Sequence, residues 1–535
     1  MHLRLAFALL LGFAASLPFV SGADAQTSKL ESAFARLGAD SFGDTVAAIE
    51  EIVAVAPPNG PDLLEAIGAG RLLLDPATKG IYLRNSAGKL TDARTGQAAA
   101  EPPEAKAVRL NNRVRSALQA ALGSVGILHV DPAKRRAAAG AVLKSHDPAA
   151  LPALDTAIAR EPNSSIAGLM RAARASILLA NDDTSQAVRI DAVQTLERHG
   201  GQDALTVLKN LPSGMTADVT EAAARAVKAI ESRLALWSVV QNLWYGLSLG
   251  SVLLLAAIGL AIPFGVMGVI NMAHGEMVML GAYTTFVVQE TIRNNAPGLF
   301  DFSLAIAIPL AFLVAGGVGI AIERGVIRHL YGRPLETLLA TWGISLILQQ
   351  AVRTAFGPTN REVGTPSFMS GAFELGGIVI TLNRLYIIFF TAVIFVGLLL
   401  ALKHTALGLY MRAVTQNRRM AASMGIATTR VDALTFGHGS GIAGLAGVAL
   451  SQIDNVSPNL GQSYIIDSFL VVVFGGVGNL WGTLVGALSL GIANKLLEPW
   501  AGAVLAKIVL LVAIILFIQK KPRGLFALKG RAVEA

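Results

Sequence analysis

The sequence of 535 residues contains no cysteine, and Asp, Glu, Lys and Arg together make up only 15% of it. Because a disulfide needs two cysteines, any exported part of the chain must hold together by packing of its core alone. Hydrophobic residues make up 53% of the chain. The formal net charge is +8, which in a membrane protein usually reports basic cytoplasmic loops, so we do not expect nucleic-acid binding.

Several motifs with known chemistry are also absent. No GxxxxGK[ST] segment occurs, so the chain lacks the loop that cradles nucleotide phosphates. We therefore expect no cofactor on this chain, and ATP would be used by separate subunits. The HExxH pattern is missing and no Ser-His-Asp arrangement is evident. We predict no enzyme activity and no metal site.

The charged residues that are present divide the chain into two parts. Up to about Ser232 the sequence is rich in Ala, Asp, Glu, Lys and Arg, and from Leu234 onward it is mostly apolar. This change predicts three segments: a signal peptide at 1–25, an extracytoplasmic domain at 26–235 and a membrane domain at 236–535. The predicted fold class is all-α, a polytopic transmembrane helix bundle preceded by an exported domain.

The signal peptide is predicted from the order of its residues. Arg4 gives a basic start, Leu5–Phe13 gives an apolar core, and Ala23-Asp24-Ala25 has the small residues of a cleavage site. An uncleaved anchor is the alternative. Cleavage is favoured because the apolar run is shorter than the roughly 20 residues that a span needs. The following domain is then outside the cytoplasmic membrane.

The pattern of that domain is mainly helical. Pro follows an acidic residue at Asp131-Pro132, Asp147-Pro148 and Glu161-Pro162, where helices begin or have just ended. The alternation of helices and short turns resembles HEAT-like repeats, which stack into an α-solenoid. The segment Arg71–Asp92 interrupts this pattern with short β-prone runs and predicts a small hairpin or meander. The domain is either a packed module without chemistry or a partner contact at the outer mouth of the pore.

The membrane domain is predicted to contain nine spans. They lie at about 237–262, 265–290, 302–322, 336–356, 384–402, 431–452, 463–477, 482–498 and 501–518. With the first domain outside, the basic clusters all fall in the cytoplasm, as the positive-inside rule requires: Arg324, Arg328 and Arg333; Arg412, Arg418, Arg419 and Arg430; Lys520, Lys521, Arg523, Lys529 and Arg531. The two passes between 463 and 498 need a turn at Gly475–Gly482.

Polar residues inside the spans are candidates for a substrate path. The segment Gly265–Glu276 contains Asn271, His274 and Glu276 within an apolar region. Asn271 and His274 are three residues apart, which predicts one shared helical face toward the pore, and Glu276 is expected to hold a neighbouring span. Two further candidates in other spans are Thr341 and His438. Each could instead make an interhelical hydrogen bond, which is the interpretation favoured for Gln349, Gln350, Gln452 and Asp467.

Several segments resemble the permease subunits of branched-chain amino-acid and amide ABC importers. They are GVMGVINMAHGEMVMLGAY from Gly265, GLYMRAVTQNRRMAASMGI from Gly408, FGGVGNLWGTLVGAL from Phe474 and KPRGLF from Lys521. Together they are spread over most of the chain after residue 240. The domain before the first span resembles the long form of the urea permease subunit. The resemblance therefore implies import of urea or short-chain amides, with a branched-chain amino-acid permease as the alternative. A passive channel or secondary transporter is the rival class.

The resemblance also implies partners. A second permease subunit, two ATPase subunits and an extracytoplasmic binding protein would complete the importer in the bacterial inner membrane, with the C-terminus in the cytoplasm. The basic loop around Leu407–Ile426 is the expected coupling segment for the ATPase, because it is the longest cytoplasmic loop and has a short helical run closed by a glycine. The coupling residues implied are Arg412, Asn417, Arg418, Arg419 and Gly425.

Overall fold

The computed structural model describes residues 22–526, except 40, 56–59, 76–77, 79, 86–88, 95–96, 100–104 and 376. The core of the predicted signal peptide and its basic start lie outside the described residues, as do Lys529 and Arg531 of the predicted basic tail. The chain divides into two compact units, Met1–Leu234 and Ala235–Ala535. Each unit is built mainly from helices.

The first unit begins with three helices and a small sheet. The helices are α1 (Gly22–Leu37), α2 (Phe42–Val55) and α3 (Gly60–Gly68); the strands are β1 (Leu72–Leu74), β2 (Ile81–Arg84), β3 (Leu90–Asp92) and β4 (Lys106–Ala107). The sheet is antiparallel in the order β3-β2-β1-β4, so the predicted meander at Arg71–Asp92 is confirmed. The sequence did not indicate β4, because two residues give no alternating pattern.

Helices continue through the rest of this unit. They are α4 (Asn112–Gly126), α5 (Pro132–Ser145), α6 (Leu151–Arg160), α7 (Ser164–Ala180), α8 (Gln186–His199), α9 (Gly201–Lys209) and the start of α10 (Ala217–Met267), with a 3-10 turn at Pro148–Ala150. Asp131 caps α5 through Ala133 N, and Pro132 occupies the first turn, where its missing N–H costs nothing. Apolar residues from α5 to α10 form one core that includes Leu143, Met170 and Leu196. The solenoid arrangement of these helices stays a prediction.

One ion pair ties α5 to the end of α6. Arg135 donates from Nε to Glu161 Oε2 at 2.6 Å and from Nη2 to Oε1 at 3.0 Å. The hydrogen bond from Arg135 is the largest cause that holds the pKa of Glu161 below its ordinary value of 4.5. A carboxyl whose pKa is lower in the folded state stabilises that state above its ordinary pKa, and the contribution disappears as the pH falls through the lowered value.

We therefore expect Glu161→Gln to weaken this junction at pH 7 but not in strong acid. Hydrogen exchange of the α5 and α6 amides measures the effect. The variant is compared with wild type at the same pH, because the intrinsic exchange rate of an amide itself changes with pH. The difference should shrink as the pH falls through the lowered pKa of Glu161. Asp155→Asn is the matched control, because Asp155 pairs with Arg174 at 2.6 Å on an exposed surface, where ion pairs contribute little. Equal effects of both substitutions at pH 7 would contradict the expectation.

The second unit contains the rest of α10 and nine further helices. They are α11 (His274–Asn295), α12 (Ser303–Gly325), α13 (Pro334–Phe356), α14 (Leu382–His404), α15 (Ala406–Gln416), α16 (Arg418–Ser423), α17 (Thr428–Leu450), α18 (Leu460–Gly475) and α19 (Leu480–Lys520). Short 3-10 turns occupy Pro297–Phe302, Ile327–His329 and Ser367–Met369, and strands β5 (Ala372–Leu375) and β6 (Ile378–Thr381) form a hairpin. These counts cover the described residues.

Helix α17 forms the centre of this bundle, with 18 of its 23 residues buried. Its glycines bring the backbones of neighbouring helices into direct contact. Gly439 meets Gly259 of α10, Gly444 meets Gly281 of α11, and Gly441 meets Phe312 of α12. Small residues that allow such close approach are the usual packing surface of membrane helices, where no water is expelled to drive association.

Helix α19 folds back on itself. A straight helix of its 41 residues would be about 60 Å long at about 1.5 Å per residue. Gly502 breaks it with φ 76° and ψ 162°. Leu490 and Asn494 before the break line the same small cavity as Lys507 and Leu510 after it. The two halves therefore lie side by side, and Pro499 just before the break cannot donate to the helical ladder.

Six of the described helical segments are long and apolar enough to cross a membrane: Ala217–Met267, Pro297–His329, Pro334–Phe356, Leu382–His404, Thr428–Leu450 and Leu480–Lys520. The nine predicted spans are not confirmed as a count. The difference arises at α11, which lies outside those six, at the shorter α18, and at α19, which holds two predicted spans in one helical segment. The predicted start of the second span at 265 is wrong, because α10 continues to Met267 and α11 begins at His274.

Two buried or half-buried glutamines fasten the segments that connect the helices. Gln241 of α10 exchanges hydrogen bonds with the backbone of Val379 in β6, at 2.7 Å and 3.0 Å. Gln289 of α11 does the same with Gly364, with both hydrogen bonds at 2.8 Å. Each amide satisfies one backbone N–H and one C=O at once, which substitutes for a strand partner. The β5–β6 hairpin and these attachments were not expected from the sequence.

Candidate functional site

The polar segment predicted from the sequence lies at a break between two helices. Helix α10 ends at Met267, and Gly268 then adopts φ 69°, a conformation that favours glycine. Asn271 follows in the connecting segment, where its Oδ1 accepts a hydrogen bond from Ala273 N at 3.0 Å. The prediction that Asn271 and His274 share one helical face is therefore wrong, because Asn271 precedes the helix.

His274 is the first residue of α11 and is almost completely buried. Its Nε2 lies 2.8 Å from the carbonyl oxygen of Ala256 in α10. Because a carbonyl oxygen can only accept, Nε2 must carry the hydrogen. The ring also approaches Gly259, where a Cβ atom would come within 3.0 Å of its Cε1 atom. His274 thus holds α11 against α10 across the helix break.

Glu276 is bonded to a different neighbour, α13. Gln349 donates to Glu276 Oε1 at 2.5 Å and to Ser345 Oγ at 3.3 Å. Thr341 lies about two turns before Gln349 on α13. Its Oγ1 accepts a hydrogen bond from Met272 N at 3.1 Å. The structure therefore buries four of the predicted positions, Asn271, His274, Glu276 and Thr341, around the break between α10 and α11. Their bonds lead to different partners: His274 bonds to α10, Glu276 bonds to α13, and Thr341 of α13 accepts from the segment before α11. A role in the substrate path stays a prediction for each of them.

His438 of α17 makes a different set of contacts. Its Nδ1 donates to Leu434 O of its own helix at 2.8 Å. Its ring packs edge-to-face against Phe312 of α12, with ring centroids 5.9 Å apart. This half-buried position on α17 serves the contact between α17 and α12.

The predicted coupling segment forms two short helices, α15 and α16. Asn417 separates them and caps α16, with its Oδ1 accepting from Met420 N at 3.0 Å. Gly425 ends the segment at φ 86°, which is strained for any other residue. Arg412 donates to Leu402 O at the end of α14. Arg419 is exposed, and so are the apolar side chains of Met420 and Met424.

Arg418 connects the coupling segment to the bundle. It forms a two-pronged ion pair with Asp432 at the start of α17, whose side chain is fully buried. Its guanidinium lies 4.8 Å from the ring centroid of Tyr331, and the Tyr331 hydroxyl donates to Glu323 of α12 at 3.3 Å. Arg418 thus links α16 directly to α17 and, through Tyr331, to α12.

Three residues linked to Arg418, namely Glu323, Tyr331 and Asp432, were not predicted from the sequence. Glu323 and Asp432 are carboxylates at the cytoplasmic ends predicted for their spans, and Tyr331 lies between two arginines. An acidic residue beside an apolar run was the available signal, since such a group must find a partner. Among the residues described, no three His, Asp or Glu side chains converge as a metal site.

Comparison with known proteins identifies the family. The family model described as "Branched-chain amino acid transport system / permease component" matches residues 242–518. The chain is 31% identical over 293 residues to the high-affinity branched-chain amino acid transport system permease protein LivH of Escherichia coli K12, covering 54% of this chain and 94% of that protein. BraD of Pseudomonas aeruginosa, described in the same words, is 30% identical over 297 residues, with 54% and 96% covered.

A more distant relative carries a different printed substrate. The ribose import permease protein RbsC of Escherichia coli K12 is 25% identical over 266 residues, which cover 48% of this chain and 77% of that protein. No solved structure matches the chain. The relatives and the apolar helices together show a multi-pass membrane protein that is a component of a transporter. The chain belongs to the family of branched-chain amino acid transport system permease components.

Proposed function

We propose that this chain is the transmembrane permease subunit of an ATP-driven importer of branched-chain amino acids. The observation that carries the proposal is the match to LivH and BraD, which extends over 94% and 96% of those proteins at 31% and 30% identity. A match of that extent covers nearly the full length of each relative. The sequence analysis predicted urea or short-chain amides, with branched-chain amino acids as the alternative; the relatives favour the alternative.

Urea or a short-chain amide is the second candidate. The first compact unit, up to Leu234, lies entirely before the region that the family model matches. This is the part of the chain whose position resembles the long form of the urea permease subunit. The buried neutral groups near the break between α10 and α11, such as Asn271, Thr341 and Gln349, would also suit a neutral ligand. Amides and hydroxyls suit urea, which carries donors and acceptors but no charge.

The partners follow from the same proposal. A second permease subunit would complete the pore as a heterodimer, and an extracytoplasmic binding protein would deliver the substrate. Two ATPase subunits would supply the energy. One of them would dock on the segment α15–α16 of this chain, where Leu409, Met420 and Met424 are exposed. Exposed apolar side chains beside the exposed Arg419 are typical of a protein interface. In this proposal the coupling segment lies in the cytoplasm of a bacterial cell and the first unit lies outside its inner membrane.

Uptake of radiolabelled substrates by a strain that lacks this gene tests the proposal. We expect the deletion to reduce uptake of micromolar leucine at least about tenfold, and the cloned gene to restore it. A tenfold excess of unlabelled isoleucine or valine should compete, and urea should not. Uptake of leucine that is unaffected by the deletion, together with loss of urea uptake, would replace the first candidate with the second. Glucose uptake is the control for membrane energy.

A further inference from the structure

A charged pair lies between the last two helices of the bundle. Lys507 Nζ in the second half of α19 is 3.0 Å from Asp467 Oδ2 in α18. Both residues lie inside apolar runs, Tyr464–Phe474 and Val504–Phe517. The Lys507 side chain is 46% exposed and that of Asp467 is 17% exposed. Charges at such positions are costly in lipid and are almost always turned toward a partner or a water-filled path.

The residues around this pair are mainly aliphatic. A cavity of about 20 Å³ is lined by Asp467, Lys507 and Asn494, and otherwise only by leucines: Leu253, Leu470, Leu490 and Leu510. Asn494 is buried and presents an amide. One carboxylate, one ammonium and one amide therefore share a space with four aliphatic side chains. These are the groups that complement an aliphatic amino acid.

We propose that this cavity is a transient binding site for the zwitterionic amino acid as it crosses the bundle. Asp467 receives the α-ammonium group of the substrate, and Lys507 receives its α-carboxylate. The four leucines take the branched side chain. The inference rests on the proposed function, because it assigns the substrate of that function to named residues. Without substrate, Asp467 and Lys507 pair with each other and the site is closed. When the substrate enters, its ammonium group takes the place of Lys507 beside Asp467, and its carboxylate takes the place of Asp467 beside Lys507.

The exchange balances charge at every stage. Before entry the two side chains neutralise each other, and after entry each is neutralised by the opposite end of the substrate. No charge is left alone at membrane depth, which is the arrangement that would cost most. A neutral ligand such as urea cannot separate the pair in this way, since it brings no compensating charge. The site thus favours a zwitterion over a neutral amide.

The size of the cavity shows that the site must open. A volume of about 20 Å³ is enough for about one water molecule. Entry of leucine requires α18 to separate from α19 at this level. The break in α19 at Gly502 lies five residues before Lys507, and a Cβ atom at Gly502 would meet nothing within 4 Å. In this proposal the opening movement occurs at this break, where the backbone has no close neighbour.

The test uses the whole importer, with its partner permease, ATPases and binding protein, in proteoliposomes. The variants are Asp467→Asn and Lys507→Met, and both leucine transport and ATP hydrolysis are measured with saturating leucine-loaded binding protein. We expect transport to fall at least about tenfold, because each variant removes one of the two charges that bind the substrate, while ATP hydrolysis stays within about twofold of wild type. A purely structural role would reduce both together.

A double variant on the same helix provides the matched control. Lys495 and Glu498 form another ion pair in α19, 2.5 Å apart and outside the cavity. Lys495→Gln with Glu498→Gln should leave the ratio of leucine transported to ATP hydrolysed unchanged. If this control lowers the ratio as much as Asp467→Asn does, the assignment of the cavity is overturned.

The charge swap Asp467→Lys with Lys507→Asp separates recognition from neutralisation. It keeps an ion pair and hence the fold, but it directs the substrate side chain away from the four leucines. We expect transport to remain at least about tenfold below wild type. Transport at the wild-type level would show that the two charges only neutralise each other, and would overturn the inference. If the wild-type importer carries no leucine at all, the proposed function itself fails, and that result is distinct from normal transport by the variants.

Discussion

Replacing Gly281 with alanine will strongly destabilise the second unit, whereas the same replacement at Gly397 will leave its stability intact. A Cβ atom at Gly281 would lie 2.6 Å from the Cα atom of Gly444 and well under 3.0 Å from its carbonyl oxygen. Both are backbone atoms of the central helix α17, so no side-chain rotation relieves the overlap. We expect a loss of at least about 3 kcal/mol, the upper end for overpacked cores.

Gly397 of α14 supplies the control because a Cβ atom there would meet nothing within 4 Å. In a helix, alanine is favoured over glycine by up to about 1 kcal/mol, so this replacement should be neutral or stabilising. Size-exclusion chromatography of the detergent-solubilised variants, followed by thermal unfolding, measures the difference. Gly447→Ala should repeat the loss, since it directs a Cβ atom at the backbone of Val278 in α11. Monodisperse Gly281→Ala protein with wild-type thermal stability would show that α11 and α17 can separate without cost.

The glycines of α17 also illustrate what the sequence could and could not predict. Gly437, Gly439, Gly441 and Gly444 fall on a run of small residues, which predicts close helix packing. Which helices they contact depends on the path of the chain through the bundle, and no local pattern contains that information. The six long apolar helices among the described residues were predictable because their apolar runs are long, whereas the predicted count of nine spans is not confirmed. The relation between α18 and the two halves of α19 was not, since it depends on a single φ value at Gly502.

The site shows the same division between local and distant information. Asn271, His274 and Glu276 were identifiable as polar residues in an apolar segment. Their grouping on one helix was wrong because Gly268 ends the ordered helix before Asn271. The partners of these side chains, Ala256 and Gln349, come from other helices, 18 and 73 residues away in the chain. Lys507 was visible inside an apolar run, but its pairing with Asp467 spans 40 residues.

Removing the side chain of Arg418 should destabilise the end of the bundle where α16 meets α17 by about 3 kcal/mol. Arg418→Ala leaves the carboxylate of Asp432 buried without its cation, and a broken buried pair typically costs about 3–5 kcal/mol. We expect the lower end of that range because the Arg418 side chain is 40% exposed, so water can reach part of the site. Thermal unfolding of the purified protein at constant detergent concentration measures the loss.

A double variant identifies the cause of that loss. Arg418→Met with Asp432→Asn removes both charges while it keeps most of the volume, so it should recover more than half of the stability lost in Arg418→Ala. Arg419→Ala is the control, because Arg419 is exposed on the same helix, and its effect should stay within about 0.5 kcal/mol. If the double variant is no more stable than Arg418→Ala, the buried charge of Asp432 is not the source of the cost. The contact of Arg418 with Tyr331, at 4.8 Å from the ring centroid, would then be the main link between α16 and the bundle, and Tyr331→Leu should reproduce the loss.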